Sequence, residues 1–374
     1  MKPFIYADHA ATTKLDADAF EAMKPFLLDE YGNASQPYAF ARKPKQALQE
    51  ARATIARCIN ADPTEIFFTS GGTESNNWAI KGVALADPEK HAVITSQIEH
   101  HAVLRACEDI EKLGYPVTYL PVTKEGRVTA EIQEGAVTSA PRLMSVMLAN
   151  NEIGTIQPIR RLCEGAHRRG ALFHTDAVQA VGHIPIDVRD LGVDLLSASA
   201  HKFNGPKGIG FLYVKKGTPI ASYASGGAQE FGMRAGTENI ASIVGMAVAL
   251  KKNCDFLREN TAHIETLETA LLERLSAAGL DLIRNGSAPH IPGNMSLSFP
   301  HADGEALLHR LDLKGICVST GAACDTVSTR VSHVLSAIGL PTKYARGTIR
   351  ISLGKDNTLA EAERISDALI SILK

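Results

Sequence analysis

The chain has 374 residues, long enough for a large core, and its 45% hydrophobic and 21% charged residues are ordinary proportions for a globular protein. Its formal net charge of −2 provides no general attraction to nucleic acid or acidic membrane surfaces, and no apolar run approaches the roughly 18 residues of a membrane span. Six cysteines (Cys58, Cys107, Cys163, Cys254, Cys317 and Cys324) form no CxxC pair, which argues against a disulfide framework and a structural zinc site.

The start, Met1-Lys-Pro-Phe-Ile-Tyr-Ala-Asp8, lacks the apolar core and cleavage site of a signal peptide, so the expected compartment is the cytoplasm. Asp8-His-Ala-Ala-Thr-Thr13 reads as strand or turn, followed by a short helix over 17–28. Apolar and alanine positions repeat at helical spacing over 42–58, and Asn60-Ala-Asp-Pro63 stops that helix. Glu65-Ile-Phe-Phe-Thr-Ser70 is a short β run leading into Gly71-Gly-Thr-Glu-Ser-Asn-Asn-Trp-Ala-Ile-Lys81, a helix that opens on two glycines. Strands are expected at 91–96, 117–119, 143–148 and 172–174, with helices at 101–113, 159–169 and around Val178. Such alternation indicates an α/β fold with a mostly parallel sheet covered on both faces. A buried strand starting at Val193 ends in His201-Lys202; a Gly/Pro turn and a second apolar run, 209–214, follow. One helical pattern fills 239 to about 275. After about Leu282 the elements shorten, at 295–299, 304–311, 316–319, 331–338, 348–353 and 359–373. The expected division is a large domain of residues 14–255 and a small α+β domain of residues 1–13 and 256–374.

In a doubly wound sheet, ligands bind at the carboxyl ends of strands, so the strand-to-helix loops carry the chemistry. Lys202 ends a strand beside a glycine turn, where a partly desolvated amine near other cations loses its proton and attacks an aldehyde; alone, it reads as a surface lysine. Gly71-Gly72-Thr73 offers free N–H groups and a hydroxyl to an anion, or is a plain turn with a cap. Asp176 either caps a helix or faces a pyridinium nitrogen, with Gln179 three residues on. Asn150 and Asn151 offer amides, and His100 offers a ring that stacks and moves protons.

Six stretches then come in register: Thr69-Ser-Gly-Gly-Thr-Glu-Ser-Asn76, Glu99-His-His-Ala-Val-Leu104, Asn150-Asn-Glu-Ile-Gly154, His174-Thr-Asp-Ala-Val-Gln179, Ala200-His-Lys-Phe-Asn-Gly-Pro-Lys-Gly208 and Met233-Arg-Ala-Gly-Thr-Glu-Asn239. Together they resemble the cysteine desulfurases of the NifS/IscS-like group in the class V aminotransferase family, over nearly the whole chain. The resemblance implies fold type I of the pyridoxal-phosphate-dependent transferases. It also implies Lys202 as the Schiff-base lysine, Asp176 on the pyridine nitrogen and His100 stacked on the ring. Gly72, Thr73, Ser199 and His201 would hold the phosphate, while Asn151 and Gln179 would bind the ring and substrate edge. Thr237 would reach the phosphate of the neighbouring subunit's cofactor, making the enzyme a homodimer.

Val318-Ser-Thr-Gly-Ala-Ala-Cys324-Asp-Thr-Val-Ser is a small-residue stretch after an expected strand, and Cys324 is read as exposed there. The other five cysteines sit in helical or strand patterns and are read as buried small hydrophobes. A thiolate at Cys324 would reach the substrate sulfur and carry it away. The stretch is similar to the Ser-Ser-Gly-Ser-Ala-Cys motif of the group, and Arg350 matches the arginine that clamps the substrate carboxylate through its planar fork. The chain departs from the pattern at Thr320 and Ala322, at Asp325, whose charge raises a neighbouring thiol's pKa, at Arg330-Val331 and at Tyr38, and it lacks a longer C-terminal tail. The reaction implied is L-cysteine to L-alanine with sulfur held as a persulfide on Cys324 for an acceptor protein. Iron–sulfur assembly, tRNA thiolation and DNA sulfur modification all draw on this enzyme type; no membrane or direct nucleic-acid partner and no metal is expected. The alternative is a lyase or aminotransferase of the same fold in which Cys324 takes no part.

Overall fold

The buried apolar runs of the first two-thirds of the chain line up in one sheet. In the computed structural model, which describes residues 4–87, 89, 91–136, 141–286, 288–320 and 331–374, seven strands form it. Their order is Ile66–Thr69, Gly210–Val214, Leu195–Ser199, Leu172–Asp176, Leu143–Ser145, Val93–Ser96, Val117–Leu120. Gly210–Val214 runs antiparallel to both neighbours and every other pair is parallel. Val93–Ser96, Leu143–Ser145 and Leu195–Ser199 are buried from end to end, as a sheet covered on both faces requires. Helix His101–Lys112 supplies cover with Val103, Ala106, Cys107 and Ile110, and Ile159–His167 with Ile159, Leu162, Cys163 and Ala166; both sets follow the 3.6-residue period. Because the parallel strands point one way, the segments after Thr69, Ser96, Ser145, Asp176 and Ser199 all emerge at one edge of the sheet.

A second, antiparallel sheet has the order Ser319–Thr320, Thr348–Ser352, Asn294–Ser298, Ile283–Asn285. Its core packs Met295, Leu297, Phe299, Ile349 and Ile351 against the helices Leu257–Ala277 and Leu359–Leu373. Ile5 and Ala7 belong to this core, and Ile5–Tyr6 pairs in parallel with Ile316–Cys317.

Three sequence expectations need correction. Around Val178 there is one turn instead of a helix: Asp176 Oδ1 accepts the Val178 N–H (2.9 Å), and Gly182 at φ 81° followed by Pro185 ends the turn. The helical pattern of 239–275 is two helices, Ile240–Asp255 and Leu257–Ala277, broken at Phe256. Met246 and Leu250 of the first pack into the large sheet's core while Leu267 and Leu271 of the second pack into the small one, and a single straight rod cannot serve both. Of the five cysteines read as buried, Cys107 and Cys163 are; Cys58, Cys254 and Cys317 are half-buried, the first two at the ends of their helices. The short elements Ala130–Ala136, Val188–Leu191, Ile283–Asn285 and Thr342–Ala345 carry too few residues for a period to show, and the sequence reading passed over them.

One polar bridge crosses three adjacent strands under the site. His174, fully buried, contacts Ser145 Oγ through Nδ1 (2.8 Å) and Ser197 Oγ through Nε2 (2.9 Å). Burial drives its imidazole from the ordinary 6.5 down to about 3, so the folded state binds this proton less readily than the unfolded chain. The contribution is complete above pH 6.5 and is lost as pH falls from there toward 3. Urea midpoints measured from pH 7 to pH 4 should therefore fall more steeply for the wild type than for His174→Gln.

Candidate active site

The strand ends meet in a cleft of about 590 Å³, within the roughly 300–1,000 Å³ of an ordinary ligand pocket. Lys202, Asp176, His100, Gly72, Thr73, Asn151, Gln179, Ser199, His201 and Arg350 all line it. The sequence reading chose these residues from six separate stretches, and the fold brings them together.

The strand Leu195–Ser199 leads through a single 3-10 turn, Ala200–Lys202, to the lysine. Lys202 Nζ donates to Ala10 O (2.5 Å) and Ala11 O (2.8 Å), so the N-terminal segment closes one side of the cleft. Gln179 Nε2 also donates to Ala10 O (2.9 Å). His201 Nδ1 lies 3.1 Å from Thr12 Oγ1, and burial first, then the charges of Lys202 and Lys207, lower its pKa to about 4.

Asp176 closes the strand Leu172–Asp176 and is 4% exposed. Its Oδ1 takes the Val178 N–H, and its Oδ2 takes Asn76 Nδ2 at 2.6 Å. Asn76 is a functional residue that the sequence reading quoted without a role. Its signal was its place one turn beyond Gly72-Thr73, on the same helical face. The helix Gly72–Leu85 begins at Gly71 with no side-chain cap, so its first N–H groups remain available. A Cβ at Gly72 would meet Val178 Cγ2 at 2.6 Å, and one at Gly210 would meet Ala198 O at 2.4 Å and Gly71 Cα at 2.8 Å. Only bare backbone fits this turn, and Ser199 abuts it.

On the opposite wall His100 caps its helix, Nδ1 accepting the Ala102 N–H (3.1 Å); burial lowers its pKa, with Lys202 and His101 adding to that and Asp176 opposing it. With Nδ1 an acceptor, the proton of the neutral ring sits on Nε2. Beside it the buried Glu99 is pushed up to about 8 by burial and by the charge of Asp176, although Ser96 Oγ (2.6 Å) and the Met147 N–H (2.9 Å) both donate to Oε1.

From the small sheet, Arg350 reaches in, its side chain 6% exposed. Nη2 pairs with Asp8 (2.7 Å), a partner the sequence reading missed, and Nη1 donates to Asn151 O (3.0 Å). Its Nε is buried and has no hydrogen-bond partner among the described residues. Asn150, the neighbouring amide, is structural: Nδ2 donates to Ile98 O and Oδ1 accepts from Glu152 N and Ile153 N. Thr237 is exposed and lines no part of this chain's own cleft. Cys324, with Asp325 and Arg330, lies outside the described residues.

The donor set fits pyridoxal phosphate. An uncapped helix start with a side-chain-free turn suits the phosphate, a doubly anchored carboxylate suits a protonated ring nitrogen, and an amine lines the same cleft. The spare donor of Arg350 suits a substrate carboxylate. Asn76→Leu should leave Asp176 Oδ2 buried without its donor. We expect a stability loss of about 1–3 kcal/mol, read from urea unfolding of cofactor-free protein, together with weakened retention of pyridoxal phosphate.

Known proteins resemble the chain over nearly its whole length. The aminotransferase class-V family pattern matches residues 5–365. A cysteine desulfurase IscS of Dictyoglomus turgidum is 48% identical over 100% of this chain and 95% of its own length. Among solved structures, a NifS-like protein superposes with a TM-score of 0.92 at 38% identity, covering 99% of both chains. A structure described as SspA in complex with cysteine gives 0.84 at 36% identity over 95% of this chain and 100% of that one. The fold is thus that of the fold-type-I enzymes, and the chain belongs to the class-V aminotransferase family, within its cysteine desulfurases.

Proposed function

We propose that the protein is a homodimeric, cytoplasmic, pyridoxal-phosphate-dependent L-cysteine desulfurase that passes sulfur, as a persulfide on Cys324, to an acceptor protein. The observation that carries the reading is the convergence of Lys202, Asp176, the Gly71-Gly72 cradle and the spare Arg350 Nε in one cleft. Among the described residues no helix is long and apolar enough to cross a membrane. We take residues 14–255 as the cofactor-binding domain, and 1–13 with 256–374 as the small domain.

Bound pyridoxal phosphate supplies a carbonyl that captures the substrate amine and an electron sink for its α-carbon. Gly72, Thr73, Ser199 and His201 hold the phosphate at the helix start. Asp176, fixed by Asn76 and the Val178 N–H, keeps the ring nitrogen's proton in place. Gln179 and Asn151 border the ring and substrate edge. Arg350 orients the substrate carboxylate through Nε while Asp8 and Asn151 O hold its two other nitrogens. Lys202 Nζ, released from the Ala10 and Ala11 carbonyls, takes the α-proton, and His100 Nε2 assists proton transfer at the ring's face. The Cys324 thiolate attacks the substrate sulfur: an S–S bond forms, the C–S bond breaks, the electron pair stays on carbon and is protonated, and alanine leaves.

Alanine released from L-cysteine in the presence of a thiol reductant tests this. Wild type should release it and Cys324→Ser almost none, while Lys202→Ala should be slower by roughly 10²–10⁴-fold. Equal release by wild type and Cys324→Ser would keep the cofactor assignment and remove the cysteine from the mechanism; no release by either, in protein yellow with bound cofactor, would return it to the lyase or aminotransferase reading.

A further inference from the structure

The segment from Ala221 to Asn239 leaves the large sheet's cover and is fastened at two points, one on the strand Ile66–Thr69 and one at the cleft. It starts on the helix Gly72–Leu85, where Ala221 N donates to Gly82 O (2.9 Å) and Trp78 Nε1 donates to Ala221 O (2.9 Å). It loops out and returns, Tyr223 N bonding Met233 O (2.8 Å) and Ala235 N bonding Ala224 O (3.1 Å).

The first fastening is a buried ion pair. Arg52 Nη2 and Nη1 donate to Glu230 Oε1 (2.6 Å) and Oε2 (2.8 Å), with the two side chains 10% and 3% exposed. Glu230 Oε2 also accepts the Phe68 N–H (2.8 Å) in the strand that feeds the glycine turn. Glu230 and Phe231 hold φ of 45° and 58°, a left-handed backbone that persists in such residues where the surroundings over-determine it. The second fastening is Arg234 on Glu74, Nε to Oε1 (2.9 Å) and Nη2 to Oε2 (3.2 Å). Glu74 Oε2 also accepts the Ser70 N–H at 3.0 Å, so one carboxylate spans the phosphate turn and the returning arm. Burial pushes the Glu74 carboxyl up, but the bonds from Arg234 and Ser70 outweigh it and hold the group below its ordinary 4.5. The pair therefore stays ionised at neutral pH. A bidentate pair of this kind fixes orientation as well as distance.

Thr237 is exposed between two anchors. Three residues before it is Arg234; two residues after it is Asn239, whose Oδ1 caps the helix Ile240–Asp255 by accepting the Ser242 N–H (3.3 Å).

We propose that Glu74 is a positioning residue: its ion pair with Arg234, backed by Arg52–Glu230, ties the arm that presents Thr237 to this chain's own phosphate turn. The inference rests on the reading of Thr237 as a donor to the cofactor phosphate of the neighbouring subunit. The arm then couples two sites, because the turn Ser70–Gly72 that cradles one phosphate also sets the stance of the threonine that completes the other.

The test is a double-mutant cycle on cofactor affinity, measured as pyridoxal phosphate retained by the purified dimer after dialysis against graded cofactor concentrations. Glu74→Gln and Thr237→Ala should each weaken retention roughly tenfold. The double variant should be no weaker than the weaker single variant, within about twofold. Arg234→Gln breaks the same pair from its other end, must match Glu74→Gln, and serves in its place should that variant fold poorly. Losses that multiply in the double variant, or an unaffected Glu74→Gln beside a weakened Thr237→Ala, would overturn the coupling. An unaffected Thr237→Ala would instead overturn the neighbouring-subunit reading beneath it.

Discussion

A carboxylate buried at the end of a buried strand must have its hydrogen bonds supplied by the protein, and Asp176 sets that condition for the whole site. Its partners are a turn amide, from Val178, and Asn76, one turn into the helix Gly72–Leu85. Satisfying Asp176 therefore fixes the position of that helix along its axis. The helix start follows: Gly72 lies four residues from Asn76, about 6 Å along the axis. A single rigid element thus sets the spacing between the anion cradle and the carboxylate. The glycines at 72 and 210 let the backbone come as close as this placement demands.

Around that frame the charges are sorted by burial. His100, His174, His183 and His201 all have their pKa values lowered, with burial the first cause in each, so the imidazoles are held neutral. Glu99 is held protonated at neutral pH by burial and by its proximity to Asp176. Among the described residues, the other basic side chains lining the cleft are Lys202, Lys207 and Arg350. Neutral rings can stack, donate and accept at a cofactor face without adding cations beside an amine that must lose its proton to act.

What the sequence shows of this depends on how local each cause is. The parallel strands were legible because double-sided burial writes itself as short apolar runs, and Arg42–Cys58 and His101–Lys112 because one-sided burial repeats every 3.6 residues. Lys202, Asp176 and Gly72 stood out because each sits where a strand stops. The break at Phe256 was not legible: nothing near it forbids a helix, and its cause is that two separate cores claim the two halves. The turn at Val178 was misread because an aspartate that caps a helix and one that closes a tight turn begin with the same bond to an amide two residues on. Asp8 on Arg350 and Glu230 on Arg52 join residues far apart in the chain, so no local pattern announces them.

The small sheet's role follows from register. Arg350 lies opposite Ser319 in the antiparallel pair formed by Thr348–Ser352 and Ser319–Thr320, so the strand that brings the guanidinium into the cleft also roots the segment that continues to Cys324. The far side of the segment is rooted as closely: Ser332 Oγ donates to Glu152 (2.6 Å), the neighbour of Asn151, and His333 contacts Glu99 O (3.0 Å), the neighbour of His100. Both flanks of the cysteine segment are therefore tied to residues adjoining the substrate groups. Arg350 and the strand Ser319–Thr320 move as one sheet, while the far flank is held by the loops of the large sheet, so the two flanks answer to different sheets.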